Sequence, residues 1–173
     1  MYLLALAACM FLHTVASGQN NTMYLKIKGS KQGEIKGEVT EKGKEGSMRV
    51  NAYQHEISSP RDAASGQATG RRQHKPLVIT KELDKASPLL YKALTTNEVL
   101  PEVTLLFYRN ANTGKQDQYF TIALTDGTIS GIKSWTDDKG VPMEEVSFTY
   151  QKIVWTYTNG GITHEDTWGG GKN

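Results

Sequence analysis

The sequence predicts a mainly β fold carrying one short helix, and three observations lead there. Apolar and polar residues alternate with period two in several runs between Met23 and Tyr157. Clusters of Gly, Asn and Asp that favour turns separate those runs. One segment alone has helical spacing, with Pro88 near its start. The length of 173 residues fits one domain large enough to bury a core, with 38% apolar and 22% charged residues.

Taken in order, "MYLKIKG" places Met23, Leu25 and Ile27 on one face and Tyr24, Lys26 and Lys28 on the other. Val103, Leu105 and Phe107 alternate with Thr104, Leu106 and Tyr108. In "QYFTIALTDG", Phe120, Ile122 and Leu124 share a face, and Asp126-Gly127 reads as the turn that ends the strand. "VSFTYQKIVWTY" puts Val146, Phe148, Tyr150 and Val154 on one side, opposite Ile153 and Trp155. Asn159-Gly160-Gly161 then supplies residues that tolerate positive φ, as a tight hairpin requires.

The helical segment is "KASPLLYKALTTNEVLP". Ser87 reads as its N-cap and Pro88 as its first helical residue, where the missing N–H costs nothing. Leu89, Leu90, Ala93 and Leu94 recur at helical spacing, and Thr95-Thr96-Asn97 ends the run. Its leucine face must lie on the sheet.

Between Ile57 and Lys75 runs a polar stretch without period, "SSPRDAASGQATGRRQH". Long aperiodic excursions are uncommon inside a domain and are usually functional or disordered. It reads either as a floppy surface loop or as an arm that reaches a neighbouring molecule.

Residues 1–22 differ in kind from residues 23–173, which read as the working domain. They hold no Lys, Arg, Asp or Glu, and Leu3 to Leu12 is an apolar run too short to span a bilayer. The run has the size of a signal-peptide core, with small residues Val15-Ala16-Ser17 at a cleavage position. Leu6-Ala7-Ala8-Cys9 resembles a lipoprotein box, and Asn20-Asn21-Thr22 fits a glycosylation sequon. Against an export signal, no basic residue precedes the run, so a translation start at Met23 stays open beside it.

The chemistry of sites is sparse. Cys9 is the single cysteine, so residues 23–173 offer no disulfide, thiolate ligand or cysteine nucleophile. A net charge of +2 without a basic stripe argues against nucleic acid. His55-Glu56 and His164-Glu165-Asp166 are the nearest approach to a catalytic or metal cluster. On a strand His164 and Asp166 share a face, yet two ligands make no zinc site. Ser58, Ser59, Ser65 and Ser147 lack a nucleophile elbow, and the Gly-rich stretches match no phosphate loop. Trp135, Trp155 and Trp168 read as core or interface residues or as a sugar platform. We expect no catalytic residues, no metal and no cofactor.

One family resemblance covers the chain from Met23 to Trp168. Its motifs are Ser65-Gly66, Thr69-Gly70, Arg72, His74-Lys75-Pro76, Asp84-Lys85-Ala86-Ser87 and Pro88-Leu89-Leu90-Tyr91. "EGSMRVNAYQHEI", "FYR" at Phe107 to Arg109, "YQKIVWTYTNGGITHEDTW" and the opening "MYLKIKG" stand in the same order. In these the chain resembles the haemolysin-coregulated protein (Hcp) family, the tube subunits of bacterial type VI secretion.

The resemblance implies a small β-barrel of two antiparallel sheets, with a side helix at about Ser87–Thr95 and a long extended loop. It implies homo-hexameric rings that stack into a tube, built in the cytoplasm, expelled from the cell and able to carry small effector proteins. Sheath, spike and baseplate components would be its other partners, with no stable membrane insertion and no enzyme activity. The extended loop would pack on adjacent subunits, and Arg61, Asp62, Arg71 and Arg72 are the charged groups expected to touch the next ring. No fused toxin domain is expected after Trp168. Two other readings stand beside it. One is a secreted hydrolase or toxin using His164, Glu165 and Asp166; the other is a periplasmic or lipid-anchored binding module.

Overall fold

Along β1 (Thr22–Gly29) the expected alternation becomes burial, with Leu25 and Ile27 in the core and Lys26 and Lys28 exposed. The computed structural model describes residues 21–110 and 115–168. The export signal, the Cys9 box and the sequon's Asn20 lie outside them. Tyr24 is buried as well, on the opposite face from Leu25, because Lys44 sits over its ring at 4.5 Å. The remaining elements are β2 (Gly33–Ile35), β3 (Met48–Val50), β4 (Ala52–Gln54), β5 (Ile57–Ser58), β6 (Gln73–His74) and β7 (Leu77–Glu82). They continue as α1 (Ser87–Thr95), β8 (Leu100–Asn110), β9 (Gln116–Thr136), β10 (Pro142–Thr149), β11 (Lys152–Tyr157) and β12 (Ile162–Thr167).

All strand pairs are antiparallel, in two main sheets that share β9. Residues up to Gly127 pair with β8 and β11, and residues from Thr128 onward pair with β10. Asp126-Gly127 is therefore a corner within one long strand and not a turn between two. Asp126 takes φ of 49° there, which turns the strand from one sheet into the other. The chain makes the return crossing at Tyr150-Gln151, between β10 and β11. That break shifts the alternation, so Ile153 is fully buried and Val154 is only partly so, the reverse of the sequence expectation.

The pairings run round a circuit. β1 pairs with β8, β8 with β9, β9 with β10, β10 with β7, and β7 with β4. A single residue, Asn51, separates β4 from β3, which pairs with β1. The Asn51 N–H donates to Thr80 O at 2.8 Å, so the ladder carries across that step. Inside lie Leu25, Ile79, Leu105, Ile122, Val146 and Phe148.

Helix α1 lies against β9, burying Leu90 and Ala93 in the core. Full burial of a leucine such as Leu90 contributes about 2 kcal/mol. The N-cap is Ala86, one residue before the expected Ser87, and Pro88 lies in the first turn. Ser87 is occupied otherwise: its hydroxyl accepts from Asp84 N–H and donates to Glu144. The β11–β12 hairpin turns at Asn159-Gly160-Gly161 as expected, with φ of 89° and 63° at the two glycines.

Candidate functional site

The polar stretch after Ile57 is a built arm. β5 and β6 form its root, with Ile57 opposite His74 and Ser58 opposite Gln73. Farther out, Arg61 bridges Ala68, and Thr69 N–H donates to Pro60 O at 3.0 Å. The arm is thus a slender antiparallel ribbon and not the aperiodic loop its composition suggested. Its ladder is built from backbone, and Ser, Gly, Gln and Ala leave no apolar alternation to read. Nearly every residue from Arg61 to Gln73 is exposed.

The four charged arm residues have different local roles. The Asp62 carboxylate shapes the tip, accepting from Ala64 N–H, Ser65 N–H and the Ser65 hydroxyl at 3.1, 2.7 and 2.8 Å. Those bonds from Ser65 and Ala64 hold its carboxyl below the usual range. Arg61 lies 3.5 Å from Gly66 O, at the edge of bonding distance across the same tip. Arg72 turns back on its own chain and grips Asp166 of β12 through Nε and Nη2. Arg71 makes no hydrogen bond or ion pair among the described residues, and its side chain is exposed.

At the root, the three histidines that follow Met23 gather round Tyr150 and Trp155. His55 Nε2 lies 2.6 Å from the Tyr150 hydroxyl, and His74 Nδ1 lies 2.9 Å from the same oxygen. His74 Nε2 is 3.1 Å from Asp166 Oδ2. Trp168 packs edge-on against Tyr150 at 5.0 Å, and His164 stacks on Trp155 at 6.0 Å. The Arg72 pair, with help from the Thr167 N–H and His74, pulls Asp166 down to about 2. Burial, and then the Asp166 charge, raises Tyr150 and keeps its phenol protonated.

The sequence singled out His164, Glu165 and Asp166 together, and the structure separates them. Asp166 serves Arg72 and His74, Glu165 faces Lys152 at 3.6 Å, and His164 stacks on tryptophan. His55 entered the reading beside Glu56, and His74 only as part of a motif; the structure takes His55 to Tyr150 and pairs Glu56 with Lys75. No local spacing announces a Tyr150 that joins residues 95 and 76 positions away. Trp155 and Trp168 flank this root, whereas Trp135 lies near the far end of β9, beside Lys133. The three do not form one platform. Among the described residues no group of three or more His, Cys, Asp or Glu is arranged to hold a metal ion.

A groove of about 880 Å³ runs along the outer face of β1 and β8, under the excursion from Lys36 to Gly46. Two ion pairs line it, Lys28 with Glu102 at 3.9 Å and Lys36 with Glu34 at 3.4 Å, together with Lys26, Glu45 and Lys85. It presents a mixed polar surface with no nucleophile and base side by side.

Comparison with known proteins follows the same lines. The family described as "Type VI secretion system effector, Hcp" matches residues 24–157. The chain is 41% identical over 161 residues to the "Major exported protein" of Pseudomonas aeruginosa PAO1, covering 84% of this chain and 94% of that one. A crystal structure of an Hcp protein superposes with a TM-score of 0.80 at 34% identity, covering 85% of this chain and 99% of the other. Hcp1 of Escherichia coli EAEC 042, in a double-mutant form, gives 0.79 at 36% identity over 85% and 98%. The secreted protein Hcp3 of Pseudomonas aeruginosa gives 0.74 at 36% identity over 86% and 98%.

Proposed function

This chain belongs to the Hcp family of type VI secretion, and from that membership we propose that it is an exported structural subunit whose rings stack into a tube. The family match runs from Tyr24 to Tyr157, from β1 through β11 with the arm included, and it carries the reading. The architecture supports it: β12, β4 and β2 each pair on one side only, leaving backbone edges that copies of the chain can satisfy. We propose six subunits to a ring, assembly in the cytoplasm, and sheath, spike and baseplate components as partners, with small effectors in the lumen. The role is non-enzymatic, in keeping with a root whose acidic and imidazole groups are engaged with one another.

The exposed arm is the stacking element in this proposal. Arg71 is its strongest candidate contact, with Arg61 beside it at the tip. Asp62 and Arg72 act by shaping and anchoring the arm, since both already bind within their own chain. Negative-stain electron microscopy of the purified protein tests the reading. Rings of uniform diameter, some of them stacked, are expected, whereas a homogeneous monomer at micromolar concentration overturns it.

A further inference from the structure

Among the described residues, every hydrogen bond from residues 55–75 to the rest of the fold ends on Tyr150 or Asp166. The root strands β5 and β6 pair only with each other. The arm is therefore joined to the barrel by its two chain connections, by ring packing on Trp155 and Trp168, and by one polar chain. That chain is His55–Tyr150–His74–Asp166, with Arg72 closing it.

Its donors and acceptors can be assigned by elimination. Asp166 is ionised and accepts, so His74 Nε2 carries a hydrogen and donates to it. With His74 neutral, Nδ1 accepts from the Tyr150 O–H, and the Tyr150 oxygen accepts from His55 Nε2–H. Each of the three links, His55–Tyr150, Tyr150–His74 and His74–Asp166, then has one donor and one acceptor with both imidazoles neutral. One proton is also accommodated: His74 charged donates from both ring nitrogens, and the Tyr150 hydrogen swings to His55 Nε2. A second proton is not. Both rings then donate to one phenol oxygen, the phenol hydrogen faces no acceptor, and two cations flank a buried hydroxyl.

We propose that this chain is a proton-counting latch on the arm, closed with no more than one of His55 and His74 charged and opened at the His55 root by the second proton. The surrounding charges do not relieve that state. Glu56 is engaged with Lys75 at 3.0 Å on the roots, and Glu165 with Lys152 on β11 and β12. Asp166 is shared by Arg72 and His74, and His164 stacks on the Trp155 that faces His55 at 6.1 Å. Burial, then the neighbouring His74, lowers the His55 pKa from its ordinary 6.5. The sign follows: the open arm takes up the proton more readily than the closed one. Closure is thus fully favoured above pH 6.5 and weakens as pH falls below it. The Arg72–Asp166 pair persists there, since Asp166 titrates only near 2, so the Gln73–His74 side stays attached while the His55 side loosens.

Release of the arm would unseat a stacked ring, a consequence that rests on the tube reading, whereas the latch itself does not. Hydrogen exchange of the arm in dilute, unstacked protein tests the latch alone, with rates corrected for the intrinsic effect of pH. Arm amides, among them those of Lys75 and Thr69, should lose protection by up to roughly tenfold per pH unit as pH falls from 6.5, while β8 and β9 amides hold. His55→Gln keeps an N–H for Tyr150 and cannot titrate, so its arm should stay protected at pH 5. Tyr150→Phe should expose the arm already at pH 7.5. Arm protection in the wild type that does not change between pH 7.5 and 5, or an equal loss in His55→Gln, overturns the proposal.

Discussion

At the scale of single residues, the most deeply buried ion pair among the described residues is Lys81–Glu144, with side chains 1% and 0% exposed. The Lys81 ammonium lies 2.7 Å from Glu144 Oε1 and 2.8 Å from Asp84 Oδ1, and donates to Glu82 O at 2.8 Å. β7 and β10 place Lys81 and Glu144 directly opposite each other, and the Ser87 hydroxyl completes the box beneath α1. Lys81→Met leaves the Glu144 carboxylate buried beside a thioether, which typically costs about 3–5 kcal/mol. The midpoint of urea unfolding should fall accordingly with its slope unchanged. Because the pair's own net worth is small, the double variant Lys81→Met/Glu144→Met should recover much of that loss. A double variant as unstable as the sum of the two singles would show that the box does more than neutralise itself. This cluster was out of reach of sequence reading: Lys81 and Glu144 sit 63 positions apart in strands whose other residues alternate normally.

At the scale of elements, β1, β8, the first half of β9, β10, β11, the helix and the final hairpin were legible because burial on one face writes period two or 3.6 into the sequence, whereas the two- and three-residue strands β2 to β6 are too short to carry a period. What failed was read from local turn chemistry at places where tertiary context decides. Asp126-Gly127 has the composition of a hairpin, yet the strand continues because β8 and β11 on one side and β10 on the other hold both halves. The arm root was illegible for the opposite reason, since its hydrogen bonds join residues from four separate stretches of chain, two of them outside any strand. Gly37 shows the same dependence on distant chain. A Cβ there would lie 2.5 Å from Ser47 O and 2.8 Å from Met48 Cα, both backbone atoms next to or within β3. Gly37→Ala must push the excursion away from the strand that completes the circuit. It should lower stability by about 1–3 kcal/mol in urea unfolding. Gly131→Ala, where nothing lies within 4 Å of the added carbon, should change it by less than about 0.5 kcal/mol. Equal effects at the two sites would remove close approach as the reason for Gly37.

At the scale of the whole molecule, the two surfaces that a ring and a stack would need are chemically distinct. Lateral assembly can draw on strand edges, whose backbone groups are insensitive to salt. In the proposed tube, stacking through the arm would rely on exposed charge, because the ribbon from Arg61 to Gln73 carries almost no apolar side chain. Exposed charges separated by more than about 8 Å are screened at physiological ionic strength, so stacks should shorten as salt rises while rings persist. Arg71→Glu separates the two levels further. The residue bonds to nothing within its own described chain, so reversing its charge leaves the barrel, the tip turn at Asp62 and the anchor at Arg72 intact. Rings of unchanged diameter with few or no stacks are expected by electron microscopy, and Arg71→Lys should restore part of the stacking. Arg72→Glu should also lose stacks, but with raised hydrogen exchange in the arm, because it places a second carboxylate against Asp166. Stacks of normal length from Arg71→Glu would move the contact off that residue, and the same from Arg72→Glu would take the arm out of stacking altogether.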